Sequence, residues 1–247
     1  MAAQDSRLDR LPARGVRFAT THWSMVVSAG GDPSPEAGRA LALLCENYWF
    51  PLYAFVRRAG RSAEDAQDLT QEFFARLMAQ GAIAKADRQK GKFRTFLLAA
   101  LKHFLADERD RACSLKRGGG RTVISLDSLD AETRYRLEPA SDLTPEKMFE
   151  KQWALSLLER VLTRLDAEMA AGKPALLAAL KETLTGIRPT TYAAIGVELG
   201  MTEGAVKVAA HRMRRRCRAL LREEIAQTVA TADEIGDEIR YLLSCLS

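Results

Sequence analysis

Phe149, Trp153, Leu157, Val161 and Leu165 recur every four residues. That spacing brings all five side chains to one face of a long helix and obliges the face to be buried. Similar stripes run through most of the chain. Leu41, Leu44, Tyr48, Leu52 and Phe55 mark a helix over about 34–58, which Pro51 should bend. Ala66, Leu69, Phe73 and Leu77 mark a third helix, Phe93, Leu97, Leu101 and Phe104 a fourth, and Leu176, Leu177, Leu180 and Leu184 one further on. Strand-like alternation occurs only briefly, from Thr122 to Leu126. The periodicity predicts an all-α protein.

Punctuation divides the chain. Thr20 and Thr21 offer caps before Trp23, and the run from Gly30 to Pro33 breaks the helix that follows. Gly60 stops the second helix. Ser62 to Asp65 reads as a capping box opening the third. Thr144, Pro145 and Glu146 form a cap with proline in the first turn. Between the blocks, Lys116 to Arg121 is a basic, glycine-rich hinge, continued by a polar and weakly periodic stretch. The expected organisation is two helical domains, 20–113 and 145–226, joined by a flexible linker at 114–144 and followed by an extension at 227–247.

The formal net charge is +5 and the pI about 9.1, so the placement of charge matters more than its sum. Cys45, Cys113, Cys217 and Cys245 form no C-x-x-C pair, and His22, His103 and His211 are scattered. Free thiols in a reducing cytosol are expected, with no metal site and no cofactor. The N-terminus lacks the apolar core of a signal peptide, and no run approaches the roughly 20 apolar residues of a membrane span. A soluble, cytoplasmic protein without membrane partners is expected. Nucleophile-elbow, phosphate-loop and zinc-protease motifs are missing, and the glycines at 118–120 lack the lysine and hydroxyl residue that complete a phosphate loop. The chain is not expected to be an enzyme.

The most informative segment is 190–218. Tyr192, Ile195 and Leu199 make a short amphipathic helix, and Gly200 suits a sharp turn. Thr202 caps a second helix in which Val206, Ala209 or Ala210, Met213, Cys217 and Leu220 share a face. Glu203, Lys207, His211, Arg214 and Arg218 lie opposite. From Lys207 to Arg222 there are seven Lys or Arg residues and no acid. A basic stripe on the second helix of such a pair suits major-groove docking: arginines grip phosphates while the N-terminal half reaches base edges. This segment resembles region 4 of bacterial sigma factors of the extracytoplasmic-function (ECF) type. The resemblance implies −35 promoter contacts from Thr202, Glu203, Gly204, Lys207, Val208, His211, Arg212, Arg214, Arg215 and Arg218. Val208 takes an outward slot that relatives often fill with a polar residue, where it would meet a thymine methyl or weaken base readout.

The first block extends the resemblance. Residues 65–77 look like region 2.2, which implies polymerase docking through Asp65, Asp68, Gln71, Glu72 and Arg76. Asp65, Asp68 and Glu72 stand at i, i+3 and i+7, away from Leu69 and Phe73. Residues 91–111 look like regions 2.3 and 2.4, which implies −10 contacts from Lys92, Arg94, Phe96, Lys102, His103, Arg109 and Arg111. Residues 85–121 hold eleven Lys or Arg against four Asp or Glu, with phenylalanines among them, as binding a melted strand requires. Of these, Phe93 and Phe104 are expected in the core. Promoter elements about 17 base pairs apart lie roughly 60 Å apart. A linker of about 30 residues reaches roughly 100 Å.

The resemblance implies a promoter-specificity subunit that binds core RNA polymerase and promoter DNA, with an anti-sigma factor or other regulator among its expected partners. The alternative is a stand-alone helix-turn-helix regulator, which leaves the acidic helix and the basic aromatic segment without a role. Beyond the shared core, Ile235, Ile239, Leu242 and Leu246 form an apolar stripe behind Asp233, Glu234, Asp237 and Glu238. The expectation is an amphipathic tail helix that either folds onto the basic recognition helix and regulates it or simply adds packing.

Overall fold

The structure is a computed structural model that describes residues 23–31, 34–114, 128–137, 142–169, 174–185 and 191–246. Among the described residues it is helical, with no strand. The helices are α1 (Trp23–Ala29), α2 (Pro35–Arg58), α3 (Ala63–Ala79), α4 (Phe93–Ser114), α5 (Ser128–Leu137), α6 (Pro145–Met169), α7 (Pro174–Thr185), α8 (Tyr192–Leu199), α9 (Glu203–Ala226) and α10 (Ile235–Leu246). The proposed caps at Thr20 and Thr21, the brief alternation at 122–126 and the glycine hinge at 118–120 lie outside the described residues.

Capping side chains set several of these boundaries. Ser34 Oγ accepts from the Ala37 N–H, and Ser62 Oγ from the Asp65 N–H, each at 3.0 Å. Each such cap satisfies a donor that the first helical turn leaves unpaired, typically worth about 1 kcal/mol. α2 runs on through Pro51, although a proline inside a helix removes one backbone hydrogen bond. Its second half, Tyr48 to Val56, is buried residue after residue. Neighbours on several sides of α2 outweigh the defect at Pro51.

α1 packs on α2 and on the short 3-10 turn Ala82–Lys85 that follows α3. α6 lies along α2, α9 and α10 lie on α6, and α8 lies on α9. One apolar cluster runs through these helices and includes Tyr48, Leu52, Phe73, Phe93, Phe149, Trp153, Leu157, Leu180, Met213 and Leu242. On α3 the buried face is turned slightly from the expected stripe: Thr70 and Phe74 are buried while Leu69 is only half-buried. Thr70 tolerates this because its Oγ1 donates to the Ala66 carbonyl at 2.7 Å.

The polar stretch between the blocks holds a helix that its weak periodicity did not announce. α5 is anchored by charge. Glu132 accepts hydrogen bonds from Tyr53 Oη at 2.6 Å and from Arg57 Nε and Nη2 at 3.0 Å each. The Arg134 guanidinium lies 4.2 Å from the centre of the Phe50 ring. Burial alone would raise the Glu132 carboxyl, but the hydrogen bonds from Arg57, Tyr53 and Arg136 outweigh it and hold it at about 2. A depressed carboxylate stabilises the docked state above its unfolded pKa and loses that contribution as pH falls through the folded value. Docking of α5 should therefore weaken only as pH falls from the ordinary carboxylate range towards 2. At neutral pH, Glu132→Gln should speed limited proteolysis within 128–137 about tenfold. An unchanged cleavage rate would mean that packing alone, not this ion pair, holds α5.

Candidate nucleic-acid interface

α8 and α9 form a tight helix pair. Thr191 Oγ1 accepts from the Ala194 N–H and Thr202 Oγ1 from the Ala205 N–H, each at 3.2 Å. Gly200 ends α8 at φ 63°, a left-handed conformation costly for any residue with a side chain. Gly196 is needed for another reason: a Cβ there would stand 2.7 Å from the Met201 carbonyl oxygen, so the turn closes directly over it. Ile195, Val206, Ala210 and Met213 are buried beneath the turn.

The outer side of α9 presents most of the residues singled out from the sequence. Thr202, Glu203, Gly204, Lys207, Val208, His211, Arg212, Arg215 and Arg218 are exposed. Lys207 Nζ pairs with Glu203 at 2.7 Å, one turn away. Arg214 is half-buried instead: it donates to Tyr192 Oη and lies over that ring, bracing α9 on α8. Arg216 turns to the other side of α9, bound by Glu168 and Glu223. Beside α9, Leu176, Leu177, Leu180, Met201, Val208 and Ala209 line an apolar groove of about 600 Å³. Sequence periodicity had no means of revealing it, because its walls come from separate helices.

The second face lies on α3. Asp65 is exposed, and Asp68, Gln71 and Glu72 are half-buried. Arg76 is a brace rather than an isolated charge. Its guanidinium pairs with Glu72 at 2.7 Å and with Glu108 of α4 at 2.6 Å, and sits 4.9 Å from the centre of the Phe104 ring.

The third group surrounds α4. Phe93 and Phe104 are buried, as expected, and Phe96 is half-buried, stacked on Phe93 with centroids 5.9 Å apart. His103 and Arg109 are exposed. Arg111 is exposed and pairs with Glu108 at 2.9 Å.

The other three cations are engaged by the second half of the chain. Lys102 pairs with Glu146 of α6 at 2.6 Å. Lys92 pairs with Glu238 of α10. Arg94 is only 3 % exposed, donates to Glu150 of α6 at 2.9 Å and to Glu238, and lies 4.0 Å from the Trp153 ring. Burial alone would depress Arg94, but Glu150 and Glu238 hold it above its ordinary value. The Lys102 hydrogen bond holds the Glu146 carboxyl below the usual range. Arg94 was expected to be a surface contact, and in this arrangement it lies beneath the surface.

These helices can be compared with known proteins. Residues 46–112, which span α3, most of α4 and the second half of α2, match the family model for sigma-70 region 2. Over these residues the chain is similar to sigma-70 region 2. The chain is also 27 % identical over 181 residues to the ECF RNA polymerase sigma factor SigE of Mycolicibacterium smegmatis. That alignment covers 73 % of this chain and 61 % of the relative, so the chain spans about three fifths of the relative's length. No solved structure matches it. Together the two findings support an ECF-type sigma factor, at low identity.

Within the matched residues 46–112, the acidic side of α3 and the cations of α4 stand on adjacent helices braced by Arg76. Among the described residues no group of His, Cys, Asp and Glu is arranged to hold a metal ion, and no helix is long and apolar enough to cross a membrane.

Proposed function

We propose that this chain is an ECF-type sigma factor: it binds core RNA polymerase and directs it to promoters, and makes no bonds itself. One observation carries the reading. A region 2 domain precedes, on a single chain, a capped helix pair whose outer face is basic. Region 2 supplies both a polymerase dock and a strand-binding helix, and the helix pair supplies duplex recognition. The domains proposed for these roles are 20–113 and 145–226, with 114–144 between them.

In this reading α9 enters the major groove at the −35 element. Thr202, Gly204, Lys207, Val208 and His211, near its start, reach bases. Arg212, Arg215 and Arg218 grip phosphates, and Arg214 acts by fixing α9 on α8. Asp65 and Asp68 present negative charge to a basic polymerase helix. Phe96, His103, Arg109 and Arg111, joined by Lys92 and Lys102, serve the −10 strand. An anti-sigma factor is the expected type of regulator.

The experiment is capture of bacterial core RNA polymerase by the purified protein, followed by transcription from a promoter library. Stoichiometric capture with new start sites is the expected result. Duplex binding without polymerase capture would favour the stand-alone helix-turn-helix regulator. Within the same assay, Asp65→Lys combined with Asp68→Lys should weaken polymerase binding about tenfold or more, equivalent to about 1.4 kcal/mol. Helix content by circular dichroism should not change. Undiminished polymerase affinity would remove this face as the dock.

A further inference from the structure

Three of the cations assigned to the −10 strand, on or just before α4, are held by glutamates from elsewhere in the chain. Glu146 and Glu150 stand one turn apart near the start of α6 and face Lys102 and Arg94. Glu238 is the acid of α10 that turns inward. It is only 1 % exposed, and it meets both Lys92 and Arg94. Tyr241, one turn further along α10, closes over the same two cations, 5.3 Å from Lys92 Nζ and 5.4 Å from the Arg94 guanidinium carbon. The apolar side of α10 packs on α6 and α9, with Ile235 and Leu242 buried, so this acid is delivered by a docked helix rather than by a free tail. The sequence left open whether the tail would fold onto the recognition helix or simply add packing; α10 packs on both α6 and α9, and its buried acid meets Lys92 and Arg94.

A row of carboxylates and an aromatic ring seated on a row of cations is the chemistry of a phosphate backbone with a stacked base. We propose that Glu146, Glu150 and Glu238, with Tyr241, form an internal mimic of the promoter strand. It occupies the strand-binding surface of region 2 in the free protein and must leave before promoter DNA enters. α10 is then a latch: its release frees Lys92 and Arg94 together. This inference rests on the sigma-factor reading above. It adds that the free chain is closed to DNA and that polymerase binding opens it.

Two measurements on the full-length protein test the latch. The first needs no mutation: amide hydrogen exchange of residues 235–246 and 92–102, with and without core RNA polymerase. Polymerase should speed exchange across α10 at least tenfold. Polymerase that binds while α10 stays fully protected overturns the latch and leaves the sigma-factor reading intact. The second measures binding of a labelled single-stranded DNA of mixed sequence to the wild type, Glu238→Gln and Glu146→Gln/Glu150→Gln, without polymerase. Both variants should bind about tenfold more tightly, and their salt dependence should steepen by roughly 0.7 for each additional phosphate neutralised. The α6 double variant leaves α10 intact, so it reads the mimic even if Glu238→Gln loosens the fold. Equal DNA affinity for a folded α6 double variant and the wild type overturns the mimic. Failure of both the wild type and Glu238→Gln to bind polymerase overturns the sigma-factor reading and the latch together.

Discussion

Trp153→Ala should lower the melting temperature by about 10 °C. Trp153 lies in mid-α6, is 1 % exposed, and belongs to the cluster shared by α2, α4, α6 and α9. Truncating a buried tryptophan costs about 3–5 kcal/mol, since both transfer energy and packing are lost where the surroundings cannot collapse. In a chain of this size each kcal/mol shifts the midpoint by roughly 2–4 °C. The change also removes the nearer of the two rings against Arg94, leaving that buried cation with its carboxylates and the Tyr241 ring. Trp153→Phe should cost much less, because it keeps a ring there and deletes an indole N–H that has no hydrogen-bond partner. Val27→Ala, at a 70 % exposed position, should stay within about 0.5 kcal/mol of the wild type. Thermal melts followed by circular dichroism decide the matter. A shift of only a few degrees for Trp153→Ala would mean that α6 does not share a core with α2 and α4.

Charge reversal at Arg215 and Arg218 should reduce promoter affinity about a hundredfold at moderate salt and flatten its salt dependence. Both side chains are exposed on the outer side of α9, away from the buried Val206, Ala210 and Met213. Each phosphate contact on duplex DNA contributes about 0.9 to the slope of log affinity against log salt, so losing two should lower it by nearly 2. Reversal adds repulsion to that loss. Arg216 is the internal control. It is tied to Glu168 and Glu223, both of which it holds below the usual carboxylate range, and it faces away from the proposed groove. Arg216→Ala should therefore leave the salt slope unchanged while loosening α9 from α6. The measurement is a salt titration of promoter binding by the assembled polymerase complex. A slope that stays constant in the Arg215/Arg218 variant would place α9 outside the DNA.

Local chemistry is legible in the order of residues. Apolar residues at three- and four-residue intervals announced α2, α3, α4, α6 and α9, because a helix has one repeat and its buried side must obey it. Ser62 and Thr202 were readable as caps, and Gly200 as the turn between α8 and α9, since those residue types answer needs set within a few positions along the chain. α5 escaped because its stripe is weak and its anchor is the pair of Arg57 and Tyr53, about eighty positions earlier. Gly196 escaped because its constraint is the backbone of Met201 folding back over it.

Charge was the least legible property. A run of basic residues reads the same whether each side chain faces solvent or a carboxylate. On composition Lys92, Arg94 and Lys102 formed one group with Arg109 and Arg111. Only tertiary packing separated them, by bringing Glu146, Glu150 and Glu238 against the first three. On α9 the same packing set Arg216 apart from Arg215 and Arg218. Helical periodicity and capping are local, so an all-α chain with a capped helix pair and a basic helix in each half could be read from residue order. Packing of the helices settled which cations are held by carboxylates distant along the chain, because an ion pair depends on distance in space, and residues 94 and 238 meet only after the helices have packed.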